Sequence, residues 1–155
     1  MHLEYEHAAA SGLRRYVNTT AEELGCSGEA YYAHLDPPPA YAYLALDDRL
    51  RDHPAQDTAL VWNEHDGWAV AIETTAGHEL SVVRYYGTEL LPPPPEVARF
   101  VAEVFEGRAP DAAPVGNTDG AAVRKHLATY AIPYQERPAQ RPGRPVERSR
   151  RGPAR

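Results

Sequence analysis

Residues 58–86, TALVWNEHDGWAVAIETTAGHELSVVRYY, constrain the fold more than any other stretch. Apolar residues recur there with period two. Leu60 and Trp62 share one face, as do Trp68, Val70 and Ile72, and then Leu80 and Val82. Asn63 to Gly67 is a turn by composition, and Gly67 is free to take a positive φ. Residues opposite each other in a ladder point to the same face, so one register is favoured. It pairs Trp62 with Trp68 and Leu60 with Val70. Across a second turn at Thr75-Ala76-Gly77 it pairs Ile72 with Leu80 and Val70 with Val82. The same parity sets Arg84 opposite Trp68, where a guanidinium can lie over the indole. Three consecutive antiparallel strands follow.

The flanking segments are read in the same way. Residues 8–24 carry Leu13, Tyr16, Val17, Thr20 and Leu24 at helical spacing, with Gly25 as the stop. Gly12 interrupts that pattern. Residues 29–35 and 41–46 read as strands separated by Asp36-Pro37-Pro38-Pro39. Prolines 92–95 lead into a helix over 96–106, whose Val97, Phe100, Val101, Val104 and Phe105 form an apolar stripe before Gly107. Asp119 N-caps a third helix over about 120–131, ended by Pro133. The order predicts an α+β domain. It has a single antiparallel sheet of about five strands in a meander, with one N-terminal and two C-terminal helices packed on one face.

The faces of that sheet differ less than usual. Leu44, Leu46, Leu60, Trp62, Trp68, Val70 and Ile72 suit the core. Tyr41, Tyr43, Val61, Ala69, Ala71 and Val83 are expected opposite, and they are less polar than a solvated face. The doublets Tyr31-Tyr32 and Tyr85-Tyr86 should each put one ring on either side. Tyr41, Tyr43 and Tyr85 are therefore the candidate interaction surface, for a protein partner or a second copy of the chain.

Charge divides the chain in two. From Glu136 to Arg155 seven arginines face two glutamates, a net +5, which leaves residues 1–135 at −11 within the total of −6. The tail's Pro, Arg and Gly content cannot form a core, so residues 1–135 read as the domain and 136–155 as a disordered basic tail. Arg141, Arg144, Arg148, Arg150 and Arg151 are candidate phosphate contacts, which makes a nucleic-acid-associated accessory protein the alternative function. The acidic body argues against duplex binding by the sheet itself.

No catalytic constellation emerges. Glu64, His65 and Asp66 form a polar turn, and three adjacent turn residues rarely converge on one centre. His34 with Asp36, and His53 with Asp57, lack metal-site spacing. Arg124-Lys125-His126 reads as a solvated helix face. There is no phosphate-cradling glycine motif and no nucleophile elbow. A small hydrolase or metal enzyme built on His34, His65 or His78 is the third reading, and no catalytic, cofactor or metal residue is assigned. Cys26, the single cysteine, allows no disulfide within the chain and reads as a buried thiol. No apolar run approaches the roughly 20 residues of a membrane span, and the expected setting is cytoplasmic.

The succession ALVWNEHDGWAVAIE, LSVVRYYG, several prolines and EVARFVAEVFEG resembles an uncharacterised family of small actinobacterial proteins. Its members carry an L-W-[DN]-x-x-x-G-W-x-x-x-x-E core and a P-x-V-A-R-F-V helix. The resemblance covers about residues 10–131. It implies a shared fold and a bacterial cytoplasmic setting, and it assigns no site residues. The function expected from all this is a non-catalytic protein-interaction or regulatory module.

Overall fold

The computed structural model describes residues 2–26, 31–74 and 79–131, with side chains from residue 6 onward. The turn read at Thr75–Gly77, His78 and the arginine tail lie outside the described residues.

A helix, α1, spans His2–Leu24 and buries Leu13, Tyr16, Val17 and Thr20, the stripe that its spacing predicts. The Thr20 hydroxyl is satisfied by the carbonyl of Tyr16 at 2.9 Å. Gly25, at φ 75°, closes the helix. The Cys26 N–H reaches the Ala21 carbonyl and the Gly25 N–H reaches that of Glu22, the paired bonds of a Schellman stop.

Five strands follow: β1 Tyr31–His34, β2 Tyr41–Leu46, β3 Thr58–Asn63, β4 Gly67–Glu73 and β5 Leu80–Tyr85. They form one antiparallel meander in the order β1-β2-β3-β4-β5. Trp62 pairs with Trp68 and Leu60 with Val70, as the alternation requires. The pairing of β5 differs from the expected one. Val70 faces Arg84, Ala71 faces Val82 and Ile72 faces Ser81, with a β-bulge between Val70 and Ala71. One extra residue, Val83, enters the ladder and reverses the parity of the N-terminal half of β5. Leu80 and Val82 therefore leave the core side. Val83 joins it, against expectation, and packs on the main core cluster. Arg84 stands across from Val70 instead of Trp68. Its guanidinium bonds the Val83 carbonyl at 2.9 Å and meets Asp111 at 3.4 Å. A stack on the indole does not form the basis of its placement.

Two further helices, α2 Pro94–Phe105 and α3 Gly120–Ala128, cover the same side of the sheet as α1, and a 3-10 turn at Thr129–Ala131 ends the described chain. Pro94 and Pro95 open α2, where a missing N–H costs nothing. Asp119 caps α3 by accepting from the Ala122 N–H at 3.0 Å. Val97, Phe100, Val101 and Val104 of α2, and Val123 and Leu127 of α3, close the core over Trp62, Trp68 and Val70. The segment between α2 and α3 is a strap. It passes Gly87, where a Cβ would lie 2.6 Å from the Ala113 carbonyl, then bonds the β3–β4 hairpin through Val115 and Asn117. It delivers α3 to α1.

Gly12 marks that meeting point. A Cβ there would lie 1.7 Å from the carbonyl oxygen of Leu127. The glycine that weakens the helix pattern is what allows α3 to approach. Gly12→Ala would gain up to about 1 kcal/mol in helix propensity. The obstacle is backbone, so the two helices must separate, and the net effect is expected to be a loss of about 1–3 kcal/mol. Chemical denaturation of the variant checks this. A stabilised Gly12→Ala protein would show that α3 is not seated on α1.

Candidate functional site on the second sheet face

The side chains facing away from the helices form a separate apolar cluster. Ala59 pairs with Ala71 and Val61 with Ala69. These four are between 0 and 9 % exposed. Every buried hydrophobic side chain of α1, α2 and α3 belongs to the core on the opposite side, so no described helix supplies this burial. The neighbours that do are Tyr41 and Tyr43 from β2, and Leu80 and Tyr85 from β5. The register explains the arrangement. Tyr43 stands beside Val61 and Tyr85 beside Ala69, so small floor residues lie between taller rings. The result is a trough with a methyl floor and tyrosine walls.

Tyr41, Tyr43 and Tyr85 are thus brought onto one surface. Tyr32, Leu80 and Val82 extend it. Tyr32 lies across from Tyr43 and stacks on it, with centroids 5.5 Å apart and planes at 15°, and it tilts against Tyr41 at 6.0 Å. Tyr32 is 55 % and Val82 40 % exposed, the large apolar residues most open to solvent among those described. The doublets split as alternation requires, since Tyr31 and Tyr86 pack on the helical core. Leu80 and Val82 were hidden from sequence reading by the bulge, which carries no residue signature in β5.

The polar groups of the trough are phenols and, at its edge, the Glu73 carboxylate. The Tyr43 hydroxyl donates to Glu73 Oε2 at 2.7 Å. Burial, and then that hydrogen bond, push the phenol well above its ordinary range. Burial and the neighbouring Tyr32 raise Tyr41 in the same direction. The His34 ring lies 5.7 Å from Tyr41, and its Nδ1 is buried with no hydrogen-bond partner among the described residues. Phenols that stay protonated offer apolar area and hydrogen-bond donors, but no base or nucleophile at neutral pH.

Elsewhere, burial lifts the Tyr16 phenol strongly, and burial with a hydrogen bond to Glu96 pushes Tyr86 up to about 12. The consequence for stability has a definite sign. A phenol whose folded pKa exceeds the unfolded value of 10 stabilises the fold in its neutral form. That contribution is complete below pH 10 and is lost as pH climbs towards 12. Resistance to denaturant is therefore expected to fall across that window, with these phenolates appearing together with unfolding in an ultraviolet titration. Smooth titration of all tyrosines in the intact fold would contradict it.

The turn Glu64-His65-Asp66 does not converge. Glu64 is 5 % exposed rather than solvated, because it turns inward. It accepts the Ala40 N–H at 2.7 Å and meets Arg124 of α3 at 3.3 Å. Arg124 also lies 4.0 Å from both Glu6 and Asp36. Its side chain is 15 % exposed, so the solvated face expected at 124–126 begins one residue later. His65 points out, its Nδ1 beside the Asn117 carbonyl. Asp66 Oδ2 accepts from Asn63, whose own side-chain oxygen takes the N–H groups of His65 and Asp66. The Glu64–Arg124 pair ties the hairpin to α3 across 60 residues, a link with no local sequence signal.

Cys26 is half-buried, its Sγ 3.9 Å from the Ala45 carbonyl, and burial raises the thiol above its ordinary value. Among the described residues no group of three or more His, Cys, Asp or Glu side chains is placed to hold a metal ion. No described helix is long and apolar enough to cross a membrane. A cavity of about 320 Å³ lies on the helical side, lined by His53, Val83, Arg84, Phe105 and Glu106 among others. Of its two arginines, Arg84 is engaged by carbonyls and by Asp111, and Arg51 lies exposed at the rim.

An α+β meander with one helical face and one tyrosine-walled face is the class that the geometry defines. A family model described as "Family of unknown function (DUF6292)" matches residues 16–103, and the chain belongs to that family. The match runs from Tyr16 in α1 to the last turn of α2, which includes the whole sheet. No curated protein and no solved structure matches the chain.

Proposed function

We propose that this protein is a non-catalytic interaction module that docks a protein partner on the trough of its second sheet face. One observation carries the reading. The sheet buries an Ala/Val floor on a side where no described helix packs, and flanks it with Tyr32, Tyr41, Tyr43, Tyr85 and Val82. Aromatic rings around small apolar residues are the composition of interface cores. A bacterial, cytoplasmic setting is part of the proposal, in keeping with a chain that has one cysteine. The test is a double substitution at the two most open positions, Tyr32→Glu with Val82→Arg, in the full chain. It should leave the fold intact and weaken complex formation, with a partner or with a second copy, by at least about tenfold. A wild-type protein that stays monomeric and recovers no partner would overturn the reading, as would a double variant that assembles equally well.

The charge division favours a second reading, in which the arginine tail grips nucleic-acid phosphates. Binding would then weaken steeply with salt, with a log–log slope of about −5. Absence of duplex binding by the full chain removes it.

A further inference from the structure

We propose that the cavity of about 320 Å³ on the helical side is a binding site for a free amino acid with an apolar side chain. The site is separate from the trough and does not depend on the docking role of that face. Its apolar bed comes from three elements. Leu50 of the β2–β3 loop and Val104 of α2 are buried, and Phe105 is half-buried. Val83, the residue that the bulge inserts into β5, completes the bed. Bulges re-aim side chains beside binding sites, and this one brings a valine to the cavity. The loop over 47–57 is held in place before any ligand arrives, which lowers the cost of binding. Leu50 belongs to the core, and the His53 N–H closes a turn on its carbonyl at 3.0 Å. Arg49 ties the far end of the loop through the Pro54 carbonyl at 3.0 Å and Asp57 at 2.8 Å. The turn so fixed carries Arg51, Asp52 and His53 along the cavity wall.

Charge decides the class of ligand. Two of the lining charges are matched, since Arg84 meets Asp111 at 3.4 Å and Glu106 is paired with Arg108. Arg51 and Asp52 are exposed, and among the described residues neither makes an ion pair or a side-chain hydrogen bond, nor does the His53 ring. One cation and one anion are thus left at the cavity, on consecutive residues whose Cα atoms are about 3.8 Å apart. An α-amino acid carries its carboxylate and its ammonium on a single carbon, so it presents both signs over a similar span. The Arg51 guanidinium takes the carboxylate through paired N–H donors. Asp52 takes the ammonium, and the C-terminal end of α2, closed at Gly107 against the same cavity, adds negative partial charge. A plain anion would meet Arg51 but also Asp52 and Glu106. The volume is near the lower end of the range for ligand sites, about 300–1,000 Å³, which limits the occupant to a small molecule. The bed of Leu50, Val83, Val104 and Phe105 selects an apolar side chain for it.

The test titrates the full-length, methyl-labelled protein with L-leucine, with isovalerate, which lacks the ammonium, and with isopentylamine, which lacks the carboxylate. Leucine is expected to shift the methyl resonances of Leu50, Val83 and Val104 saturably, with a Kd of about 1 mM or tighter, and to leave those of Ala59 and Val61 on the trough in place. Isovalerate and isopentylamine should each bind at least about fivefold more weakly. Arg51→Gln and Asp52→Asn change exposed side chains, and each should weaken leucine binding about five- to tenfold, whereas Arg15→Gln on α1 should not. The absence of saturable shifts overturns the proposal, as does unchanged binding in both loop variants. Isovalerate that binds as tightly as leucine overturns it in favour of a plain anion site. Shifts of equal size on the trough methyls overturn it by placing the ligand on the other face. The ligand series is read on the wild-type chain, so the outcome does not hang on the folding of a variant.

Discussion

Trp68→Ala is expected to cost about 3–5 kcal/mol of folding stability, among the largest effects of any single substitution in the chain. The indole is fully buried where the sheet meets α1. Its ring lies 6.0 Å from that of Tyr16, and its Nε1–H donates to the Tyr16 hydroxyl at 3.0 Å. That hydroxyl donates in turn to the carbonyl of Pro92, the residue that turns the chain towards α2. Trp68 thus joins the sheet to α1 directly and to the approach of α2 through one shared hydroxyl. Tyr16→Phe separates the polar contribution from the packing. It leaves the Trp68 N–H and the Pro92 carbonyl unsatisfied and should cost about 1–3 kcal/mol. Urea unfolding of both variants gives the comparison. A loss below about 1 kcal/mol for Trp68→Ala would show that the ring is not at the junction of these elements.

Arg124→Met is expected to cost about 3 kcal/mol, near the lower end of the range for breaking a buried ion pair. Methionine keeps most of the arginine stem, so packing changes little. What remains is the Glu64 carboxylate, 5 % exposed, with the Ala40 N–H as its principal donor. Glu6 and Asp36 lie further out and more exposed, and they lose only a weak partner. Pairing Arg124→Met with Glu64→Leu should recover a large part of the loss, because the uncompensated charge is then removed. Additive costs in the four-variant cycle would show that Glu64 and Arg124 act independently.

The sheet order, the helices and their shared side are legible in the sequence because each rests on local periodicity. Alternation over 58–73 sets the β3–β4 register, and a single two-residue phase makes it unique. The same logic fails in β5 because a bulge is not a property of one strand. Val83 is extra only relative to Val70 and Ala71, and nothing in VVRY distinguishes the inserted valine from its neighbour. Leu80 pairs with Glu73 instead of Ile72, a one-residue shift that puts Leu80 and Val82 on the trough, and the bulge adds a second residue that leaves Arg84 across from Val70 instead of Trp68. The tyrosines of β2 and β5 could be assigned to a common face from spacing. The identity of the floor as a sunken alanine lane required the register. Glu64 illustrates the other limit. Its neighbours mark a solvated turn, and its burial comes from Arg124, 60 residues away, through a strap whose own sequence has no periodicity. Gly12 lies between these cases, since a glycine inside a helical pattern signals a close approach without naming the partner.

The central claim is that this protein acts through its tyrosine-walled sheet face, and photo-crosslinking from two surface positions tests it most directly. A benzophenone side chain replaces Tyr32 on the rim of the trough in one full-length variant. In a second it replaces Arg99, an exposed residue of α2 on the helical side. Both sites are open to solvent, so bare accessibility does not separate them. The account predicts adducts from position 32, with a docked partner or a second copy of the chain, and none of comparable yield from position 99. Equal yields from the two positions, or adducts from position 99 alone, would contradict it.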